Sequence, residues 1–241
     1  MRNRIFITLL FFALITPVLS VKAQINDADE AIARGNEFFH RGQYARAIFE
    51  YQAALDWPGK HQARARFNIG VCNHRLGRRR EAVAEYRAAI KLREGQYPSA
   101  SYALGAALQD LRQYREAREA FAQAVKSSGG KHAEALFELA LESQRDGDDR
   151  AAFDHYQQSI KQSKDRIPAS HNNLGVILAK SGMLEEATRE FEIAVKQSRG
   201  KFAEASQNLA RCQQMINSSS PGMIANLKMI GGAAGLAMKA E

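Results

Sequence analysis

The sequence predicts an all-α fold built from five helix pairs of equal length, and three columns of residues predict it. Small residues recur every 35 positions, at Gly35, Gly70, Gly105, Ala140, Gly175 and Ala210. Aromatic residues keep the same interval, at Tyr51, Tyr86, Phe121, Tyr156 and Phe191. Between these two columns each unit carries a residue suited to a turn, namely Gly42, Gly77, Arg112, Gly147 and Gly182. A fixed period of this length is typical of helical repeat proteins.

Apolar residues within one unit follow helical spacing. In the first unit Ala47, Ile48, Tyr51, Ala54 and Leu55 are separated by steps of one, three and four, which place them on one helix face, whereas a strand would alternate. Glycine after a helix suits the left-handed residue that ends it, so each unit is predicted to be a helical hairpin. The aromatic of the second helix is expected to fill the gap beside the small residues, between neighbouring hairpins.

Residues 1–23 are predicted to be a signal peptide. Arg2 and Arg4 precede an uncharged run from Ile5 to Val21, and short side chains at Val21 and Ala23 suit cleavage before Gln24. The alternative is an uncleaved anchor, because this run of 17 residues approaches the roughly 20 that span a bilayer. Pro17 argues against the anchor. Export then predicts a periplasmic or secreted protein.

Composition argues against several classes of function. The formal net charge of +8 falls by three to +5 without residues 1–23, and no nucleic-acid-binding motif accompanies it, so nucleic acid is not an expected partner. The six histidines lack zinc-site spacing, and no nucleophile motif is present, so no enzyme activity, metal or cofactor is predicted. Cys72 and Cys212 occupy equivalent slots 140 residues apart and are expected to be small buried residues without a mutual disulfide.

Alanines also recur on both sides of the aromatic, at Ala47, Ala82, Ala117, Ala152 and Ala187 before it and at Ala54, Ala89, Ala124 and Ala194 after it, with Ser159 in the remaining copy. These columns resemble the tetratricopeptide repeat family, in which a small residue of the first helix and alanines around an aromatic of the second recur about every 34 residues. The resemblance covers residues 28–217, although the period here is 35 and the family's proline appears only as Pro58. It implies a right-handed α-solenoid of stacked antiparallel helix pairs, the tetratricopeptide superhelix. It predicts five hairpins and a C-terminal capping helix over residues 24–217, with a helix at about 203–216 as the cap.

The resemblance also implies a function, namely a non-enzymatic scaffold or adaptor of the cell envelope that holds a peptide or helix of another protein in a concave groove. First helices line that groove in the family. Side-chain amides can donate to and accept from a peptide backbone, while rings can pack on its side chains. Alternatively, the rings pack against the next first helix. The candidate groove residues are Asn36, Phe39, Phe67, Asn68, Tyr102, Phe137, Asn172 and Asn173.

A cluster of arginines in the second unit forms a candidate basic patch, here called the arginine cluster, and the fourth unit is correspondingly rich in acids. Such a patch can attract an anionic envelope glycan or lipid, which is the alternative function. It can equally be a solvated surface with a few ion pairs, which contribute only about 0–1 kcal/mol each. Its members are Arg64, Arg66, Arg75, Arg78, Arg79 and Arg80.

Residues 218–241 are predicted to be a flexible or weakly docked apolar tail. Ser, Pro and Gly at 218–222 indicate a break, and residues 223–230 can form a short amphipathic helix. This segment is expected either to dock on the last repeat, to enter the chain's own groove, or to remain disordered. It is too short, with Lys228 inside it, to span a membrane, so membrane contact after signal cleavage is at most peripheral. The sequence leaves the oligomeric state open.

Overall fold

The computed structural model describes residues 27–164, 166–218 and 227–231, and in these residues the regular elements are helices without strands. The predicted signal peptide, residues 1–23, lies outside them. The helices alternate with short turns along the whole described chain. They are α1 (27–40), α2 (Tyr44–Ala53), α3 (Lys60–Arg75), α4 (Arg79–Leu92), α5 (Pro98–Asp110), α6 (Tyr114–Ser127), α7 (Ala133–Arg145), α8 (Asp149–Ser163), α9 (Pro168–Lys180), α10 (Leu184–Gln197) and α11 (Ala203–Ser218).

The chain divides into two compact units, of which the first ends at Arg112. In this first unit α2 packs on α3, α3 on α4 and α4 on α5, so helices adjacent in sequence are adjacent in space. Tyr51 of α2 belongs to the same buried cluster as Ile32 of α1 and Ile69 and Cys72 of α3. One hairpin alone buries too little apolar surface to offset the entropy of ordering its backbone, and the cluster shows how the next hairpin supplies the remainder.

The second unit begins at Gln113 and contains α6 to α11 and residues 227–231. Its consecutive helices pack in the same way, and α9 additionally contacts α11. Every residue from Pro168 to Ala179 in α9 is buried, which suits a helix with small and apolar residues on most sides. The first helix of one hairpin therefore lies directly beside the helix that follows the last hairpin.

Glycine and aromatic residues of the same hairpin determine how closely its two helices approach. A Cβ placed on Gly70 would lie 2.6 Å from Cε1 of Tyr86, and one on Gly175 would lie 2.7 Å from Cε1 of Phe191. Both rings are buried. Each of these rings lies directly on the glycine of its own hairpin, and in the first hairpin Tyr51 also belongs to a cluster with Ile69 and Cys72 of the next hairpin.

Turn residues between the helices of a hairpin adopt the left-handed conformation that the sequence predicts. Gly77 has φ +76° and Gly182 has φ +81°, and Arg112 takes φ +60° in the copy without glycine. After Gly182 the N–H of Met183 returns to the carbonyl of Leu178 at 3.0 Å, which satisfies a carbonyl at the helix end. The prediction of an all-α helical repeat is confirmed. None of the helices within the described ranges is both long and apolar enough to cross a membrane.

Candidate functional site: an asparagine-lined groove

Three asparagines of the second unit form a continuous polar surface on two neighbouring helices. Asn172 and Asn173 lie on α9, Asn208 lies on α11, and all three side chains are fully buried. Asn173 and Asn208 occupy the same slot of their repeats, 35 residues apart. Buried amides are costly unless their donors and acceptors are satisfied, so their hydrogen-bond partners indicate what this surface is built to hold.

The three amides are connected to one another and to the hairpin before them. Asn208 Nδ2 donates to Asn172 Oδ1 at 2.9 Å, and Asn172 Nδ2 donates to Asn173 Oδ1 at 3.0 Å. Asn173 Nδ2 donates to the Tyr156 hydroxyl at 3.0 Å, and that hydroxyl donates to Gln144 Oε1 at 2.7 Å. The network fixes each amide in one orientation, so its remaining donors and acceptors point at a defined place.

Residues 227–231, here called the docked segment, occupy that place. Asn208 Oδ1 accepts from the backbone N–H of Lys228 at 2.8 Å, while Asn208 Nδ2 donates to the Lys228 carbonyl at 2.6 Å. Asn173 pairs with Ile230 in the same way, accepting from its N–H at 2.9 Å and donating to its carbonyl at 2.6 Å. Asn172 Nδ2 adds a bond of 3.1 Å to the Lys228 carbonyl.

This pairing requires an extended backbone. A residue presents its N–H and C=O to the same side only when the chain is extended, and residues two apart then face the same way. The short helix that residues 223–230 could form does not include residues 227–230, which are not helical. The backbone groups of Lys228 and Ile230 bond to asparagine side chains, and the glycine that follows disfavours helix. Residues 223–226 lie outside the described residues.

Side chains of the docked segment are exposed or only partly buried. The Lys228 side chain is exposed, and Met229 and Ile230 are half-buried. Met229 Sδ accepts a bond of 3.3 Å from Gln144 Nε2. The asparagine contacts to Lys228 and Ile230 are therefore made to the main chain.

The Tyr156 hydroxyl is kept protonated at neutral pH. Burial raises the pKa of Tyr156 well above its usual range, and the nearby Glu138 carboxylate acts in the same direction, although the bond from Asn173 opposes them. A protonated phenol can donate to Gln144 and accept from Asn173 at the same time. Phe137, predicted as a groove residue, is fully buried with its ring centroid 5.8 Å from that of Tyr156. It packs behind the network.

The other predicted groove residues belong to the first unit and form a separate set. Asn36 Oδ1 accepts from the Tyr51 hydroxyl at 2.7 Å and from Asn68 Nδ2 at 3.4 Å. This resembles the Tyr156 and Asn173 arrangement, since Tyr51 and Asn68 precede those two residues by three periods of 35. No second asparagine follows, because Ala103 occupies the slot equivalent to Asn208. The first unit therefore lacks the two-asparagine pattern that holds an extended backbone.

Rings of the first unit mainly pack against one another. The Phe67 centroid lies 5.9 Å from that of Tyr86 and 5.3 Å from that of Tyr97. Phe39 meets Tyr44 edge-on at 5.4 Å, and Tyr102 of α5 is half-buried. Phe39 therefore packs on the second helix of its own hairpin, and Phe67 packs on Tyr86 of its own hairpin and on Tyr97, which precedes α5.

The arginine cluster is partly neutralised inside the first unit. Arg64 pairs with Asp29 at 2.7 Å, Arg66 with Glu85 at 3.0 Å and Arg79 with Asp110 at 3.2 Å. Three arginines remain exposed with no ion pair to any residue the structure describes, namely Arg75, Arg78 and Arg80. The cationic surface is therefore about half the size that the sequence indicates.

Acidic residues of the second unit largely serve its own structure. Glu142 is buried and pairs with Arg118 at 3.6 Å and with Arg145, and Arg118 also binds Asp146 at 2.7 Å. Asp148 caps α8 by accepting from the Ala151 N–H at 2.9 Å. Across residues 27–164, 166–218 and 227–231 no three His, Cys, Asp or Glu side chains are grouped as a metal site requires.

Sequence reasoning selected Asn172 and Asn173 but left Asn208, Gln144 and Tyr156 out of the candidate site. The recurrence of asparagine in one slot of two consecutive repeats was the available signal for Asn208. Tyr156 belongs to the packing column, and nothing in that column distinguishes a ring whose hydroxyl also orients a recognition side chain. The docked segment carries no repeat period, so its position had no sequence signal of this kind.

Comparison with known proteins identifies the family. The model described as tetratricopeptide repeat matches residues 32–101 and again residues 102–167, together more than half of the chain. This chain belongs to the tetratricopeptide repeat family. Members of the family are generally non-catalytic scaffolds that bind other proteins or peptides, so the chain is a protein-interaction scaffold by fold.

Solved structures share the fold at low sequence identity. PilF of Pseudomonas aeruginosa aligns with a TM-score of 0.68 at 17% identity, over 85% of this chain and 90% of that one. MamA aligns with a TM-score of 0.57 at 20% sequence identity, over 67% of this chain and 92% of MamA. YrrB is described as a tetratricopeptide protein with an unusual peptide-binding site. It aligns with a TM-score of 0.54 at 21% sequence identity, over 74% of this chain and 90% of YrrB. No curated protein sequence matches significantly.

Proposed function

We propose that this chain is a non-enzymatic scaffold of the cell envelope whose second unit binds an extended segment of a partner protein. One observation carries the proposal: Asn173 and Asn208 each hydrogen bond both backbone groups of one residue, and those two residues are two apart in an extended chain. A surface that pairs with main-chain groups accepts any strand with free N–H and C=O groups on one edge.

The expected affinity is modest and depends little on sequence. Each net hydrogen bond contributes about 0.5–1.5 kcal/mol, and four such bonds must also offset the entropy of ordering a flexible peptide. Additional affinity has to come from side chains near Gln144 and Phe137. The partner class that fits is an extended segment with an unbranched apolar residue between the two paired residues, as Met229 is here.

The envelope location rests on the predicted signal peptide over residues 1–23. Arg2 and Arg4 followed by an apolar run support export, and a partner would then be another exported or membrane-anchored protein. Sequencing the N-terminus of the protein recovered from the periplasmic fraction and the medium tests this location. A chain retained in the cytoplasm with residues 1–23 intact would contradict it.

Peptide recognition is tested with a display library of eight-residue peptides selected against the full chain. Selected peptides are expected to lose at least tenfold in affinity when Asn173→Ala and Asn208→Ala are combined. The matched control combines Asn36→Ala and Asn68→Ala, which removes the asparagine pair of the first unit and should leave affinity unchanged. Selected peptides that bind both double variants as well as the wild type would overturn the proposed site.

A further inference from the structure

We propose that the docked segment, residues 227–231, is a built-in occupant of the groove that competes with the partner and must leave before the partner binds. This inference rests on the proposed function, since it assumes that the same asparagines receive the partner. It assigns a regulatory contact to a part of the chain that has no place in the repeat.

The docked segment uses all the amide donors of the three groove asparagines that do not bond within the protein's own network. Each asparagine amide has two N–H groups. Asn208 donates to Asn172 and Lys228, Asn172 donates to Asn173 and Lys228, and Asn173 donates to Tyr156 and Ile230. No donor remains for a second backbone, so an incoming strand can form these bonds only by replacing the segment.

The segment is bound through backbone hydrogen bonds, and its apolar side chains, Leu227, Met229 and Ile230, are only half-buried. Lys228 and Gly231 are exposed, and no side chain of the segment is fully buried. Few buried apolar contacts place a region at the low end of the local stability scale, where opening is much easier than global unfolding. The groove thus has an occupant that fits it but is not locked in by packing.

The segment is joined to the groove by a short stretch of the same chain. Eight residues separate Ser218, the end of α11, from Leu227. A short tether makes docking intramolecular, with an effective concentration in the millimolar range. A weak contact can therefore occupy the groove for most of the time, and the apparent affinity for a partner equals the intrinsic affinity multiplied by the fraction of molecules in which the groove is open.

The experiment uses proline to remove backbone donors from the segment. Lys228→Pro with Ile230→Pro deletes the N–H groups that Asn208 and Asn173 accept from, while both residues can remain extended. The matched control is Lys228→Ala with Ile230→Ala, which changes the same side chains and keeps both N–H groups. Circular dichroism melting checks that α1 to α11 remain folded in each variant.

The probe is a labelled synthetic peptide, acetylated and amidated, with the sequence of residues 225–232, and its binding to each full-length chain is measured by fluorescence polarisation. The proline variant is expected to bind the probe at least tenfold more tightly than the wild type and the alanine control. In the wild type, hydrogen exchange at the amides of Lys228 and Ile230 is expected to be at least tenfold slower than in a free peptide. That protection should disappear when Asn173→Ala and Asn208→Ala are combined.

Two results would overturn the inference and leave the proposed function standing. One is equal probe affinity for the wild type and the proline variant, with binding that still requires Asn173 and Asn208. The other is a molecular mass in solution that shows the segment docked into a second copy, with the proline variant becoming monomeric. If Asn173→Ala and Asn208→Ala leave probe affinity for the proline variant unchanged, the proposed function itself would be contradicted.

Discussion

The Tyr156 hydroxyl donates a 2.7 Å hydrogen bond to Gln144 and accepts one of 3.0 Å from Asn173. Its ring belongs to the aromatic column that packs each hairpin, so one side chain serves both the repeat core and the groove. Because the hydroxyl receives one of the two N–H groups of Asn173, it directs the other N–H toward the docked segment. Tyr156, a packing residue of one repeat, therefore orients Asn173 of the next repeat.

Tyr156→Phe keeps the packed ring and removes the hydroxyl that bonds to Asn173 and Gln144. We expect peptide affinity in the proline variant background to fall about threefold to tenfold, in line with the loss of about one net hydrogen bond. Fluorescence polarisation with the synthetic peptide measures the change. Tyr51→Phe is the matched control, because it removes the equivalent hydroxyl from Asn36 in the first unit. An equal loss in both variants would show a general effect on the fold.

Gly175→Ala is expected to destabilise the protein by about 1–3 kcal/mol, because the new methyl would lie 2.7 Å from a ring carbon of Phe191, which is fully buried. Urea unfolding followed by circular dichroism measures the free energy. Adding Phe191→Leu should recover part of the loss, since the smaller side chain makes room for the methyl. A midpoint unchanged by Gly175→Ala would contradict the glycine-on-ring packing.

We expect the free energy of unfolding to depend on pH near neutrality because of His155. Burial lowers the pKa of His155 below its ordinary value of 6.5, although Asp154 and Asp148 oppose the shift. The unfolded chain therefore binds a proton at higher pH than the folded one. The stabilisation is complete above pH 6.5 and is lost as the pH falls from there through the folded pKa. His155→Gln should flatten this slope in melting curves, and an identical slope in the variant would count against it.

Both cysteines are predicted to react slowly with thiol reagents in the folded protein. Cys72 and Cys212 are fully buried, and burial raises the pKa of Cys72 to about 11, so little thiolate exists at neutral pH. Absorbance with a chromogenic disulfide reagent at pH 7.5 should show labelling that requires unfolding, and urea should accelerate it at least a hundredfold. Rapid native labelling of one cysteine would place it at an accessible surface.

The helices and their packing could be predicted from the sequence because they follow from local and repeated features. Period-35 columns, helical spacing and turn glycines each act within a few residues or between adjacent hairpins, so their consequences recur in every unit. Arg112 follows the same rule, because it adopts the left-handed conformation at the turn position of its repeat although it is not glycine. The sequence also placed Asn172 and Asn173 on a surface that receives backbone groups.

What only the tertiary structure decided is the partner of that surface within this chain. Asn173 meets Ile230 across 57 residues and Asn208 meets Lys228 across 20. Residues 227–231 lie outside the repeat, and their local pattern fits an amphipathic helix as well as an extended strand. The extended conformation of residues 227–231 is favoured because oriented asparagine amides from two helices satisfy the backbone groups of Lys228 and Ile230. Such an array exists only after the hairpins have packed, so no local pattern in the sequence can reveal it.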